Sequence, residues 1–193
     1  MRFVLVSMVA TLAACAATPP PAPPSQAPAP ATAAAVAPAA PAAEMAPTPY
    51  TAAQIRDASP AGRRVVYKVE EDGKPAVRRV IEFVKSDASG ADTRASTMDS
   101  SGHLLDSTEE HASWDELRAH AEFPKGDVDI KHRTISVPLG TLECTVYKVT
   151  GQNGAVTTFY FADTLPGPPV FFYVEVGGKR VRTQTMESND LKK

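Results

Sequence analysis

Cysteine is almost missing from this chain: only Cys15 and Cys144 occur in 193 residues. No C-x-x-C pair exists, so neither a zinc knuckle nor a dithiol redox motif can be built. Histidine is scarce too, at His103, His111, His120 and His132. None has a partner at i+4, and no H-E-x-x-H occurs, which leaves no metal-ligating set on one helical face. There is no glycine-rich phosphate loop, no serine nucleophile elbow and no EF-hand loop, so no cofactor is expected. Charge of one sign is lacking, with 20 Lys+Arg against 22 Asp+Glu. That balance argues against nucleic acid as a partner, which would need a basic footprint. No apolar run reaches the ~20 residues of a transmembrane helix.

What is present begins at the N-terminus. Arg2 precedes the uncharged run Phe3-Val4-Leu5-Val6-Ser7-Met8-Val9-Ala10-Thr11-Leu12, and small residues lead to Cys15. This is the layout of a secretory signal. Leu12-Ala13-Ala14-Cys15 resembles the lipobox of bacterial lipoproteins. The resemblance implies a signal peptide over 1–14, removal of it before Cys15, and lipidation of Cys15. Ala16 rather than Asp at the next position is similar to the pattern of lipoproteins carried to the outer membrane. Several acyl chains on one cysteine would make a firm anchor. The expected location is therefore the outer membrane, facing the periplasm.

From 16 to 49 the chain is almost entirely Ala and Pro, with 11 prolines in 34 residues and Glu44 as the one charge. Few large apolar side chains are available to offset the entropy of ordering. Repeated proline biases such a chain to extended polyproline II. The reading is a lipidated cysteine followed by a disordered tether over 15–49. Composition changes at Tyr50, and 50–193 is long enough for one domain with a real core.

Two short helices are marked by capping boxes. Thr51 is followed three residues on by Gln54, with Tyr50 and Ile55 as a hydrophobic staple. Ser113 is followed by Glu116, with Pro124 as the stop. Strands are expected at 64–70, 76–86, 91–98, 103–109, 129–137, 142–150, 155–162, 170–176 and 179–187. Turn signals such as Asp72-Gly73 and Gly177-Gly178 separate them. Hairpin follows hairpin, so the expected class is α+β: one domain with an antiparallel, meandering, curled sheet of eight or nine strands and two helices.

Near the C-terminus both faces of the strands are apolar. Phe159 and Phe161 lie on one side of their strand; Phe171 and Tyr173 alternate with Val170, Phe172 and Val174. Both faces should therefore be covered, or one lines an apolar groove, with Phe159, Phe161, Phe171 and Tyr173 as its candidates. Cys144 lies on a strand between Leu142 and Val146 and reads as a small buried hydrophobe rather than a nucleophile. No catalytic constellation is evident.

The segment Ser136-Val137-Pro138-Leu139-Gly140-Thr141-Leu142-Glu143-Cys144 resembles a V-P-A-G-T-F-x-C stretch in certain uncharacterised bacterial envelope proteins. Phe159-Tyr160-Phe161-Ala162, Pro166-Gly167-Pro168-Pro169-Val170 and Val176-Gly177-Gly178-Lys179 continue the likeness, over about 135–187. The shared features are turns and strands, so the resemblance implies a fold and no activity. The functional expectation is a non-enzymatic lipoprotein, structural or binding an envelope component such as a protein, peptidoglycan or lipid. The alternative is a carrier of a lipid or other hydrophobic ligand in a groove of the sheet. An apolar cavity of a few hundred Å³ between sheet and helices would favour the carrier.

Overall fold

The computed structural model describes residues 44–191; the lipobox, Cys15 and most of the Ala/Pro segment lie outside them. Helix α1 spans Ala52–Ala58 and α2 spans Trp114–Ala119. The strands are β1 Arg63–Glu71, β2 Val77–Ser86, β3 Gly90–Met98, β4 Leu104–Ser113, β5 Val128–Val137, β6 Gly140–Thr150, β7 Val156–Ala162, β8 Phe171–Val176 and β9 Lys179–Leu191. All nine form one antiparallel sheet in the order β4-β3-β2-β1-β9-β8-β7-β6-β5. The strand count, the antiparallel pairing and the two helices are as the sequence predicts.

Both helices start where their capping boxes place them. Thr51 Oγ1 accepts from Gln54 N, and the Gln54 side chain accepts from Thr51 N at 2.8 Å. Ser113 and Glu116 repeat the exchange. Each box satisfies amides that a helix end leaves open. Tyr50 and Ile55 are both buried, as a staple requires. Trp114 is buried as well, and its indole N–H donates to Asp87 O at 2.9 Å. The stop after α2 is earlier than Pro124; a 3-10 turn at Lys125–Asp127 leads into β5.

The topology is two meanders joined at a seam. The first, β1 to β4, runs outward to one edge. The second, β5 to β9, starts at the other edge and returns until β9 pairs with β1. The link from β4 to β5 must cross between the two edges. Nine strands laid flat would separate those edges by about 38 Å, whereas a link holding a helix and a 3-10 turn reaches about 35 Å at most. The sheet is therefore bent, and α2 is drawn across one face.

Two apolar clusters result. One gathers Tyr50, Ile55, Phe83, Ala91, Trp114, Tyr147 and Phe161 between the helices and the sheet. The other gathers Val65, Tyr67, Val69, Cys144, Val146, Ala162, Val170 and Met186. Residues ahead of Tyr50 also pack on the domain. Ala46 is buried and donates its N–H to Phe123 O at 2.9 Å, Pro47 O accepts from the Tyr147 hydroxyl, and Glu44 pairs with Lys125 at 2.8 Å. Ala and Pro are small enough to lie against the aromatic layer even though their composition reads as spacer.

Arg63 is the unexpected core residue. It is 3% exposed, and no carboxylate pairs with it among the described residues. Its Nε donates to Asn189 Oδ1 at 2.9 Å, and its Nη1 donates to Ser59 Oγ at 2.9 Å and to Pro166 O at 3.0 Å. Burial lowers its pKa, with Tyr67 and Tyr50 acting in the opposite sense. Arg63→Lys keeps the charge but loses the planar fork. It is expected to lower stability by about 2 kcal/mol or more, read from urea unfolding. An unchanged midpoint would show that the fork does not hold these segments.

Cys144 is free and 1% exposed. Burial first, then Asp163 and Glu143, push its thiol from the ordinary 9.0 to about 11. Burial also raises the phenols of Tyr50, Tyr67 and Tyr147. These acids keep their protons in the folded chain at pH values where the unfolded chain has lost them. Their contribution is complete below the unfolded values and is lost as pH rises toward the folded ones. The urea midpoint is therefore expected to stay level up to about pH 8.5 and to fall above it. Native Cys144 should resist thiol reagents, and Cys144→Ala should cost about 1 kcal/mol. Rapid labelling of the folded protein would contradict the packing role.

Candidate functional site: an aromatic cavity beneath the helices

Cross-strand register decides which aromatic residues meet. Tyr147 pairs with Phe159, Phe159 with Phe172, and Phe172 with Gln184. Directly opposed residues share a face, so this row looks toward the helices. The next row is Val146, Tyr160, Phe171 and Thr185, on the other face. Tyr173 pairs with Thr158 and belongs with that second face. The four expected groove residues are thus divided. Phe159 and Phe161 stand together under the helices. Phe171 and Tyr173 are on the opposite side, because alternation along β8 places Phe172 between them. Phe172 is the residue that sequence alternation alone does not single out, and pairing β8 against β7 is the signal that finds it.

Between this row and the helices lies a cavity of about 370 Å³. Its walls include Tyr50, Ile55, Phe83, Phe123, Phe159, Phe161 and Phe172. Phe123 stacks on Phe159 at 5.6 Å between centroids, and Phe159 meets Phe172 at 5.5 Å. Tyr50 and Tyr147 each place an edge against Phe161, at 6.1 and 5.5 Å. Offset and edge-to-face contacts of this kind favour a fixed aromatic arrangement.

The tyrosine hydroxyls around the cavity are all engaged by the protein. Tyr50 donates to Ala162 O at 2.5 Å, Tyr67 to Pro169 O at 3.0 Å and Tyr147 to Pro47 O at 2.9 Å. The wall offered to a guest is mostly ring faces and aliphatic surface, with a few polar side chains among them. The polar groups on the lining include Arg79, Glu110, Arg118, His120 and Gln184. Arg118 is held by Glu122 at 2.6 Å. Gly167, Pro168 and Pro169 form part of the wall. Their loop is a structural bend, fixed from below by Arg63 and Tyr67, and it is also a cavity wall.

The other sequence candidates are dispersed. Cys144 is in the second cluster with a protonated thiol, the reverse of an activated nucleophile. His111 contacts Asp92 at 2.8 Å and His103 lies 3.3 Å from Asp99, each an exposed pair. His132 is near Thr145, and His120 caps α2. Among the described residues no group of His, Cys, Asp and Glu could hold a metal ion, and no helix is long and apolar enough to cross a membrane.

No family model and no curated protein matches this chain. Among solved structures it is similar to a chain of the complex of Pseudomonas aeruginosa MucA/MucB, with a TM-score of 0.50 and 13% identity. The likeness covers 72% of this chain and 54% of that one, so this chain spans about half the length of its neighbour. At this identity the likeness is one of fold.

Proposed function

We propose that this protein is a lipid-anchored, periplasm-facing envelope protein that binds an apolar group, foremost the acyl chain of a lipid, in the aromatic cavity. It works as a binder or carrier and not as an enzyme. The observation that carries the reading is the cavity of about 370 Å³ between helices and sheet. It falls within the ~300–1,000 Å³ of ordinary ligand sites. Its lining is mostly aromatic and aliphatic, and its tyrosine hydroxyls are already bonded to the protein, so an apolar guest leaves none of them unsatisfied. The carrier alternative therefore moves ahead of a purely structural role. Anchoring through Cys15 at the outer membrane remains the proposed means of placement, on the strength of the Leu-Ala-Ala-Cys motif. A second reading, a protein partner from the envelope, is supported by the fold neighbour having been solved as a complex.

Native mass spectrometry of the full chain extracted from its own membrane tests the guest. The expected result is a non-covalent lipid mass on the wild type. Ala121 lines the cavity, and Ala121→Trp should fill it and remove that mass while the circular dichroism spectrum stays unchanged. A lipid retained equally by the variant, or none on either, would falsify the carrier reading; a second protein in place of lipid would favour the partner reading. The anchor is tested separately. Cys15→Ser should move the protein from the membrane pellet to the soluble fraction, since serine cannot form the thioether. A variant that still pellets would overturn the lipidation assignment.

A further inference from the structure

The sheet face away from the aromatic cavity carries a second concavity, of about 350 Å³, on strands β5 to β8. Its chemistry is opposite to the first. Register builds it from two adjacent rows: Asp129, Lys148, Thr158 and Tyr173 in one, and Lys131, Val146 and Tyr160 in the next. Arg133 joins from the row beyond.

Three cations and one carboxylate line it. Lys131 and Asp129 neutralise each other at 2.6 Å. Arg133 and Lys148 have no ion-pair partner among the described residues, so the concavity has an excess of two positive charges. Arg180 stands beside it, with its guanidinium carbon 3.8 Å from the Tyr173 ring centroid.

The floor holds a stronger indication. Thr158 is 4% exposed, yet its hydroxyl oxygen has no hydrogen-bond partner. A buried hydroxyl without a partner is costly and unusual in a folded protein. Tyr50, Tyr67 and Tyr147, by contrast, have all found carbonyls. An orphaned donor in the same cross-strand row as Lys148, with Arg133 two rows along, suits a ligand that brings oxygen acceptors and negative charge.

We infer that this concavity is a binding site for a phosphoryl group, held by Arg133, Lys148 and the Thr158 hydroxyl. A dianionic phosphoryl group meets the excess of two positive charges, where a carboxylate would meet half of it. Tyr160 and Tyr173, whose rings are 6.4 Å apart, supply a flank for whatever body carries the phosphate. That body is either absent, as in free phosphate, or the glycerol end of a phospholipid. The site is on the other face from the aromatic cavity and does not depend on what the cavity binds.

The test is calorimetric titration of the full chain at low salt with inorganic phosphate and, separately, with dihexanoyl phosphatidic acid below its micelle concentration. Saturable binding is expected in both arms. Tighter binding of the lipid by tenfold or more assigns the site to a phospholipid headgroup; equal affinity assigns it to free phosphate. Arg133→Gln and Lys148→Gln should each weaken binding about tenfold. Thr158→Val keeps the shape and removes the hydroxyl. It should weaken binding comparably while leaving the ligand-free melting temperature the same or higher. Ala121→Trp should bind phosphate normally, which separates this site from the cavity. No saturable binding, or equal affinity in Arg133→Gln and Lys148→Gln, would overturn the assignment. So would a Thr158→Val variant that melts lower and binds normally, because its hydroxyl would then serve the fold.

Discussion

A single buried guanidinium holds the parts of this protein that matter most to its cavity. Arg63 begins β1, but its three acceptors come from the end of α1, from the 163–169 loop and from the far end of β9. Burying a cation without a carboxylate is unfavourable unless its donors are satisfied by well-placed dipoles. Here they fix the loop's course. A Cβ on Gly167 would lie 3.1 Å from Arg63 Nη1, and the backbone there has φ +131, a conformation open mainly to glycine. The bend then delivers Pro169 O to the Tyr67 hydroxyl and lays Gly167-Pro168-Pro169 along the cavity.

The two faces of the second meander divide the chemistry between them. Toward the helices, aromatic rings pack in offset and edge-to-face pairs and the hydroxyls are satisfied internally. On the opposite face, lysine and arginine share a concavity with a hydroxyl that has found no partner. One strand serves both. On β7, Phe159 and Phe161 point one way while Thr158 and Tyr160 point the other, and the period-2 alternation of a strand is enough to give the two faces opposite chemistry.

Much of this was legible in the sequence because it is local. Thr51 with Gln54 and Ser113 with Glu116 announce the helix starts, and Gly177-Gly178 takes positive φ at both residues, as the tight hairpin demands. What was not legible depends on distant partners. The polar stretch Ser188-Asn189-Asp190 has little strand propensity, yet β9 continues to Leu191 because β1 pairs with it and Arg63 holds Asn189. Arg63 lies just ahead of the strand expected from 64, and nothing local marks it as buried. The groove candidates come from two alternating sets, and nothing local tells which set meets the helices; the antiparallel register of β7 with β8 provides it. The composition boundary at Tyr50 hides the packing of Ala46 and Pro47, since small residues carry no periodic signal.

The seam between β1 and β9 also has a bearing on how the protein is made. Val66 pairs with Ser188 and Glu71 with Arg182, so β1, an interior strand of the sheet, is open on one side until nearly the whole chain is available. If the N-terminal segment is a secretion signal, β1 is among the first strands to emerge and must wait, unpaired along that side, for one of the last. During that interval it is an exposed template for any other strand. The first meander can shield only its β2 side. Synthesis from the N-terminus thus leaves a window in which the β1 edge lacks its native cover until β9 arrives.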